Sequence, residues 1–431
     1  MDGAPAALRP VVLGGDIGAY SLARHFHENH GVRPVVVSGA ASGLMSRSAA
    51  LQHVREPALE DPDTLVAVLH RLVEPDAATI VLASADRLVA RLVEVRDRLP
   101  ETVVVPYVEA PLLRRMTDKA EFSRVCAELG VAHPRTVVAD LSLLPGTSTP
   151  SDVDPAVDTS GLVFPVFAKA ASTVAYAGVS FEGKRKGFVV ADRAQLLDLL
   201  ARVRRAGYTS GFLVQELVAG DDSGMRILTC YSDRSGRVRY SSFGHVLLEE
   251  HAPSAIGNPA AILTDHDPDV VADATRLLEH VGWTGWANFD LKVDPRTGRT
   301  VFFELNPRLG RSNFYVAAGQ TDPVAPYVRE YVRGLDPYPP GSPEHAEPGH
   351  LFTVLPRPLL LRYLDEDLRA RVRAAYRAGH VHNPLWYSAE RDPRRLAYLA
   401  ASHANQYRKF ARHYPVGEAR ARQLQPAGRT A

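Results

Sequence analysis

Two alternating runs either side of a tight turn constrain this chain most. Trp286 to Val293 and Val301 to Asn306 flank Asp294-Pro295-Arg296-Thr297-Gly298, a turn sequence that centres a β-hairpin near residue 297. Folding about that point puts Asp290 opposite Glu304, Asn288 opposite Asn306 and Lys292 opposite Phe302. Side chains alternate along a strand, so Ala287, Phe289, Leu291, Val293, Val301, Phe303 and Leu305 form one apolar face that belongs in a core. Asn288, Asp290, Lys292, Glu304 and Asn306 share the other face, where two carboxylates meet. Like charges directly opposed on a sheet are destabilising unless something positive sits between them. Mg²⁺ is one candidate, because two carboxylates and an amide oxygen are hard donors of the kind that hold it beside nucleotide phosphates. Neutralisation by Lys292 or a neighbouring arginine is the other.

The amino-terminal part follows a different rule. Val11 to Leu13, the glycine turn Gly14-Gly15-Asp16-Ile17-Gly18 and an amphipathic run from Tyr20 to Asn29 lead into Val35 to Val37. β-rich runs at Thr79 to Leu82 and Thr102 to Val105 alternate with helical patterns at Thr64 to Leu72 and Arg87 to Leu99, which predicts a parallel sheet with helices on its faces. The turn lacks the G-x-G-x-x-G order and the second strand ends in Ser38, without an acid for a ribose, so a dinucleotide site is not the leading reading. Asp16, Ser84 and Asp86 are expected at strand carboxyl ends, where ligands collect.

A second unit starts near Met116: Asp118 caps a helix through Lys119, Phe122, Val125 and Leu129, ended by Gly130, with Cys126 on its apolar face. The Ser/Pro/Asp-rich stretch Leu144 to Gly161 reads as a loop or insertion. Strands at Val163 to Lys169, Gly187 to Val190 and Phe212 to Gln215, a helix at Ala194 to Ala206, and further strands through Phe243 give an α+β middle. His245, Glu249, Glu250 and His251 lack the H-E-x-x-H spacing and are expected at the surface. Beyond Tyr338, a Pro/Gly/Glu linker leads to a helical, arginine-rich segment with about fifteen Arg/Lys against six Asp/Glu after residue 350. That segment either faces an anion or packs on the main body through a solvated basic face.

Composition narrows the function classes. Fifty Lys plus Arg against 49 Asp plus Glu argue against a surface built for nucleic acid or anionic lipid. Two cysteines, Cys126 and Cys230, suit a reducing compartment, and the absence of a signal-peptide pattern or long apolar window predicts a cytoplasmic protein without a membrane span. Only six of the 50 cations are lysines, and five of these lie between residues 119 and 292. A compact ammonium in so arginine-rich a chain suits phosphate oxygens. Lys169 ends a strand and is followed by Gly178, Gly183, Lys184, Lys186 and Gly187, a loop whose small residues let backbone amides approach an anion. Phe212 to Asp222 is an apolar strand entering a polar turn, able to offer backbone groups to a base and an acid to ribose hydroxyls.

In their order and spacing these motifs resemble the ATP-grasp superfamily, in the carboxylate–amine ligase branch that includes D-aspartate ligase. The resemblance runs over most of residues 10 to 414, and its ends, "VVLGGDIGAYSLARHFHENHGV" and "NPLWYSAERDPRRLAYLAASHANQYRKF", resemble that branch in particular. It implies a fold of mixed α/β and α+β type: a Rossmann-like amino-terminal domain at 1–117, and an ATP-grasp domain at 118–337 with a central antiparallel sheet and a small lid at about 163–216. A linker and basic helical segment follow at 338–431. The family's nucleotide-binding lysines fall on Lys119 and Lys169, its adenine hinge on Gln215, Glu216 and Val218, and its ribose acid on Asp222. Its Mg²⁺ ligands fall on Asp290, Glu304 and Asn306. Where some relatives carry an arginine two residues before the first metal acid, this chain has Asn288, and Arg308, Arg311 or Arg226 supplies the charge instead; Lys292 shares the same face.

The implied reaction is attack of a carboxylate on the γ-phosphate of ATP to give an acyl phosphate, then capture by an amine as an amide or peptide bond. The implied partners are an amino-acid donor, aspartate-like by resemblance, and an amine acceptor from a peptide, a cell-wall precursor or a small metabolite; related folds are often homodimers. The alternative is a nucleotide-binding regulatory module of the same fold that does not turn over.

Overall fold

The computed structural model describes residues 7–171, 175–176, 178–185, 187–253, 255–417 and 419. They form two compact units: one drawn from Met1–Thr117, Asp221–Leu291 and Glu304–Leu424, the other, among the described residues, from Asp118–Gly220 and the hairpin tip Lys292–Phe303.

In the first unit five parallel strands lie in the order Gln52–Arg55, Val35–Ser38, Ala7–Leu13, Ala77–Ala83 and Val103–Val104. The inner strands are continuous apolar runs because both faces are covered; Val11, Val12, Leu13, Val35, Val36 and Val37 are all fully buried. Gln52–Arg55 escapes a sequence reading since, at the sheet edge, it has no apolar pattern to betray it. The helix Ile17–His30 starts where Asp16 accepts a hydrogen bond from the Ala19 N–H at 3.0 Å. Gly14 makes the strand-to-helix turn at φ 138°, and a Cβ there would lie 2.1 Å from Ser84 Oγ, so only glycine fits.

A second sheet of seven strands runs in the order Thr300–Asn306, Gly285–Val293, Met225–Ser232, Val238–Glu250, Asn258–Asp265, Leu351–Thr353 and Val381–His382. Its last two members come from the carboxy-terminal segment, which therefore completes the sheet. The helices Arg357–Tyr363, Glu366–Ala378 and Pro393–His413 follow the same logic. Leu360, Tyr363, Phe410 and Tyr414 are buried in one core cluster with Tyr20, Phe26 and Tyr315, so the basic segment packs on the main body. Arg395 and Glu390, 0% and 1% exposed, form an ion pair at 3.2 Å inside that packing. Tyr20 Oη and the Ala49 N–H donate to Glu390 at 2.9 and 2.8 Å, satisfying the carboxylate that burial would otherwise leave costly.

The second unit holds a four-stranded antiparallel sheet, in the order Thr136–Asp140, Gly211–Glu216, Val166–Ala170 and Phe188–Val190. The helices Lys119–Leu129 and Arg193–Arg205 accompany it, the first with Asp118 as its cap and Cys126 buried. Leu144 to Gly161 was expected as a loop, yet it is anchored. Arg204 Nε donates to the Leu144 carbonyl and an Arg205 guanidinium N–H to that of Ser148, each at 2.7 Å, while Val153 and Val157 enter the core. Among the described residues no helix is long and apolar enough to cross a membrane.

Candidate active site

In the first unit the hairpin brings its predicted acids together. Asp290 and Glu304 interact through a hydrogen bond and through their charges, and Asn306 Nδ2 donates to Asp290 Oδ2 at 3.2 Å and to the Asn288 carbonyl at 3.4 Å. Burial raises the Asp290 carboxyl above the usual carboxylate range, and the Glu304 charge and hydrogen bond raise it further. Arg308 and Asn306 pull in the opposite direction without overcoming these. Two oxygen acids that repel each other at close quarters, with an amide whose Oδ1 remains to complete a donor set, fit a divalent cation. No group of three or more His, Cys, Asp or Glu side chains that could hold a metal ion is found among the described residues.

Arg308 is the cation that bears on Asp290, and its Nε meets Asp86 Oδ1 at 2.8 Å. Asp86, expected at a strand end of the parallel sheet, thus aims an arginine that follows the hairpin strand Thr300–Asn306. Arg311 lies 3.8 Å from Glu250. The loop that carries it presses on the first helix: a Cβ on Gly18 would lie 2.9 Å from both Arg311 Cα and the Gly310 carbonyl, and Asn313 Nδ2 donates to the Gly18 carbonyl at 3.1 Å. The third glycine of the amino-terminal turn, Gly18, therefore serves the approach of Arg311. Asn288 turns into the sheet, accepting from Thr229 Oγ1 at 2.7 Å, and Thr229 in turn accepts from Tyr315 Oη at 2.6 Å. Arg226 is tied to the Ser223 and Met225 carbonyls, both at 2.8 Å, and burial lowers its guanidinium to about 10. The charges acting on it are Asp265, Arg371 and Asp267, not the carboxylate pair.

Asp222 has one carboxylate oxygen engaged: Oδ2 accepts from the Glu249 N–H at 3.0 Å and faces His251 Nε2 at 2.8 Å. Two other expectations need correction. His245 and Glu250 are buried, not at the surface, because they lie on a strand with sheet neighbours on both sides. Burial lowers the His245 imidazole to about 4, and its ring bonds the Ser223 carbonyl at 2.7 Å. Phe302, expected on the polar face, is buried, while Phe303 is only partly covered. The Phe302 N–H donates to the Ala132 carbonyl at 2.8 Å, so the hairpin tip gains a backbone partner and a second apolar surface.

In the second unit Lys169 lies on Val166–Ala170, in register with Leu213, and Phe167 is in register with Gln215. Gln215 Nε2 donates to Thr136 Oγ1 at 2.9 Å. Glu216 is braced by the Arg135 and Val163 N–H groups at 3.3 and 3.4 Å. Lys292 donates to the Val218 and Gly220 carbonyls at 3.1 and 2.7 Å, which makes it a clamp on the Gln215 to Gly220 turn. Lys119 opens its helix directly after the Asp118 cap. Lys184 bends onto its own loop, donating to the Val179 carbonyl and lying 4.9 Å over the Tyr176 ring. Gly178 sits in a turn beside it, and Lys186 lies outside the described residues.

Comparison with known proteins agrees with this architecture. The family described as "Carbamoyl-phosphate synthase L chain, ATP binding domain" matches residues 138–321. The D-aspartate ligase of Enterococcus faecium is 27% identical over 420 residues, covering 95% of this chain and 97% of that one. The carbamoyl phosphate synthase large chain of Thermus thermophilus is 26% identical over 222 residues, where this chain spans only 20% of its length. Among solved structures, N5-carboxyaminoimidazole ribonucleotide synthetase from Thermus thermophilus matches with a TM-score of 0.53 at 17% identity, over 79% of this chain and 81% of that one. These structural likenesses establish the ATP-grasp fold.

Proposed function

We propose that this chain, an ATP-grasp ligase that forms carbon–nitrogen bonds with release of ADP, activates the carboxylate of an amino acid and transfers it to an amine. The observation that carries the reading is the Asp290–Glu304 pair, held with Asn306 under the charge of Arg308. Asp290, Glu304 and Asn306 would hold Mg²⁺, which when bound supplies positive charge against the phosphates. Lys119 and Lys169 bind phosphate oxygens, and the turn from Gln215 to Val218 receives the adenine, kept in shape by Lys292.

A substrate carboxylate oxygen attacks the γ-phosphorus of ATP, the bond to the β-phosphate oxygen breaks, and ADP leaves. An amine nitrogen then attacks the acyl carbon; the acyl carbon–oxygen bond breaks, inorganic phosphate leaves, and the amine loses a proton. The task of the protein is positioning and charge neutralisation. Arg308, oriented by Asp86, faces the acyl phosphate, and Arg311 holds a substrate carboxylate by its planar fork. Similarity to D-aspartate ligase makes aspartate the first donor to try, in both stereoisomers.

The test is ADP release with Mg·ATP across L- and D-amino acids, with and without candidate amines, in wild type and Glu304→Ala. Acid-dependent release that the substitution abolishes supports the reading. ATP binding with no acid-dependent release across the panel sinks it in favour of a regulatory nucleotide module.

A further inference from the structure

The sixth lysine, Lys409, stands apart from the five between residues 119 and 292: it lies on the carboxy-terminal helix Pro393–His413 and lines a cavity of about 260 Å³ within the first unit. Gly15, Asp16 and Arg311 border the same cavity, which places it at the carboxyl end of the strand Ala7–Leu13, beside the arginine to which the ligase reading gives a substrate carboxylate. The two cations are not equally provided for. Arg311 has Glu250 at 3.8 Å. Lys409, half-buried, has no hydrogen bond, ion pair or cation–π contact among the described residues. Asp16 is the one acid in the lining, and its Oδ1 is taken by the Ala19 N–H. An ammonium drawn part-way out of water without an anion beside it carries a cost that an incoming anion removes.

Another part of the lining is fixed in place from behind. Arg24 donates through Nη1 to the Asn383, Pro384 and Trp386 carbonyls at 3.3, 2.9 and 3.2 Å, and its guanidinium lies over the Phe314 and Tyr387 rings at 4.7 and 4.5 Å. Trp386 is thereby kept in the lining at 43% exposure. A large aromatic held open in the same cavity as an unpartnered cation suits a ligand with a carbon frame and an anionic end. The volume lies below the roughly 300–1,000 Å³ of sites for drug-sized ligands, which suits a small acid over a nucleotide or an oligopeptide.

We infer that Lys409 is a specificity-determining residue: it receives the carboxylate that a diacid substrate keeps, while Arg311 holds the one presented to ATP, so the enzyme prefers diacids to their neutral amides. The inference rests on the ligase reading for the fate of that acid, whereas the site itself stands on the cavity and its unpartnered ammonium. It gives the carboxy-terminal helix a task beyond packing.

The test uses the full chain and pairs of nearly equal shape that differ in one charge: aspartate with asparagine and glutamate with glutamine, each in both stereoisomers, and succinate with succinamate. Binding is read by calorimetry with and without Mg·AMP-PNP, and turnover by acid-dependent ADP release. Wild type should bind at least one diacid at least about tenfold more tightly than its amide, the difference expected for a hydrogen bond between charged groups. Lys409→Met should weaken that diacid at least about tenfold, bring the ratio of diacid to amide near one, and raise KM more than it lowers kcat; Lys409→Arg should restore most of the preference. Because Lys409 bonds to no described residue, both variants should melt as wild type does.

Equal binding of each diacid and its amide by wild type overturns the assignment, as does a diacid preference that Lys409→Met leaves intact. Failure of every diacid in the panel to bind overturns it too; if other acids then drive ADP release, the ligase reading survives without this site. Diacid binding that depends on Lys409, with no acid-dependent ADP release, keeps the site and sinks the ligase reading.

Discussion

Glu304→Gln preserves the shape of one member of the carboxylate pair and removes its charge, so it separates repulsion from packing. Asp290 is raised first by burial and then by the Glu304 charge and hydrogen bond. A carboxyl raised in the folded state keeps a proton that the unfolded chain has already released. Stability is therefore fully present below the ordinary carboxylate value and falls as pH climbs through the raised one, by up to about 1.4 kcal/mol per pH unit for one proton. The substitution removes the second and third causes and leaves burial, so the metal-free variant should show a shallower slope and exceed wild type in stability at about pH 7.5. Urea midpoints measured from acid to neutral pH in EDTA read both quantities. With Mg²⁺ at about 100 times its Kd, wild type should gain about 2.7 kcal/mol and lose most of the slope, whereas the variant should gain far less. A variant less stable than wild type in EDTA at neutral pH, or one with the same Mg²⁺ gain, would refute this account of the pair.

Other outcomes follow from single contacts. Arg308→Met should lower kcat about 10²- to 10³-fold with ATP affinity kept, and Asp86→Asn should cause a smaller loss in kcat, both read by ADP release. Gly18→Ala must displace the backbone at Gly310 and Arg311, so it should cost about 1–3 kcal/mol in a urea titration and raise the KM for the activated acid. Arg395→Met leaves Glu390 buried without its cation and should destabilise by about 3–5 kcal/mol, with protease cutting first in the carboxy-terminal segment. His25 and His245 are both lowered to about 4 by burial, so the stability they contribute is present above the ordinary histidine value and lost as pH falls toward the lowered one. His245→Gln should accordingly flatten the acid limb of the stability profile between about pH 6.5 and 4.

The legible parts of the fold were those that repeat a period. The hairpin alternation put Asp290, Glu304 and Asn306 on one face, and the strand–glycine–helix order announced a parallel sheet. Gln52–Arg55 and the pair Leu351–Thr353 and Val381–His382 stayed hidden because such short strands borrow their order from neighbours already in place. The burial of Phe302 was hidden for a related reason: alternation assumes one wet face, and the hairpin tip gains a partner at Ala132 that lies 170 residues earlier in the chain.

At the site, side-chain identity was readable and side-chain commitment was not. Lysine scarcity pointed to Lys184 and Lys292 as phosphate or acid partners, but an ammonium has three donors and accepts whatever carbonyls the turn offers. For Lys292 those are Val218 and Gly220, and for Lys184 the carbonyl of Val179. Asp222 likewise spends an oxygen on the Glu249 N–H. Glu250 shows the converse. With no metal-site spacing around it, it reads as a surface acid, yet a helix more than 140 residues later returns to cover it. Its contact with Gln406 ties that helix to the strand, and Arg395 holds it further by donating to the Leu44 and Ser46 carbonyls and pairing with Glu390.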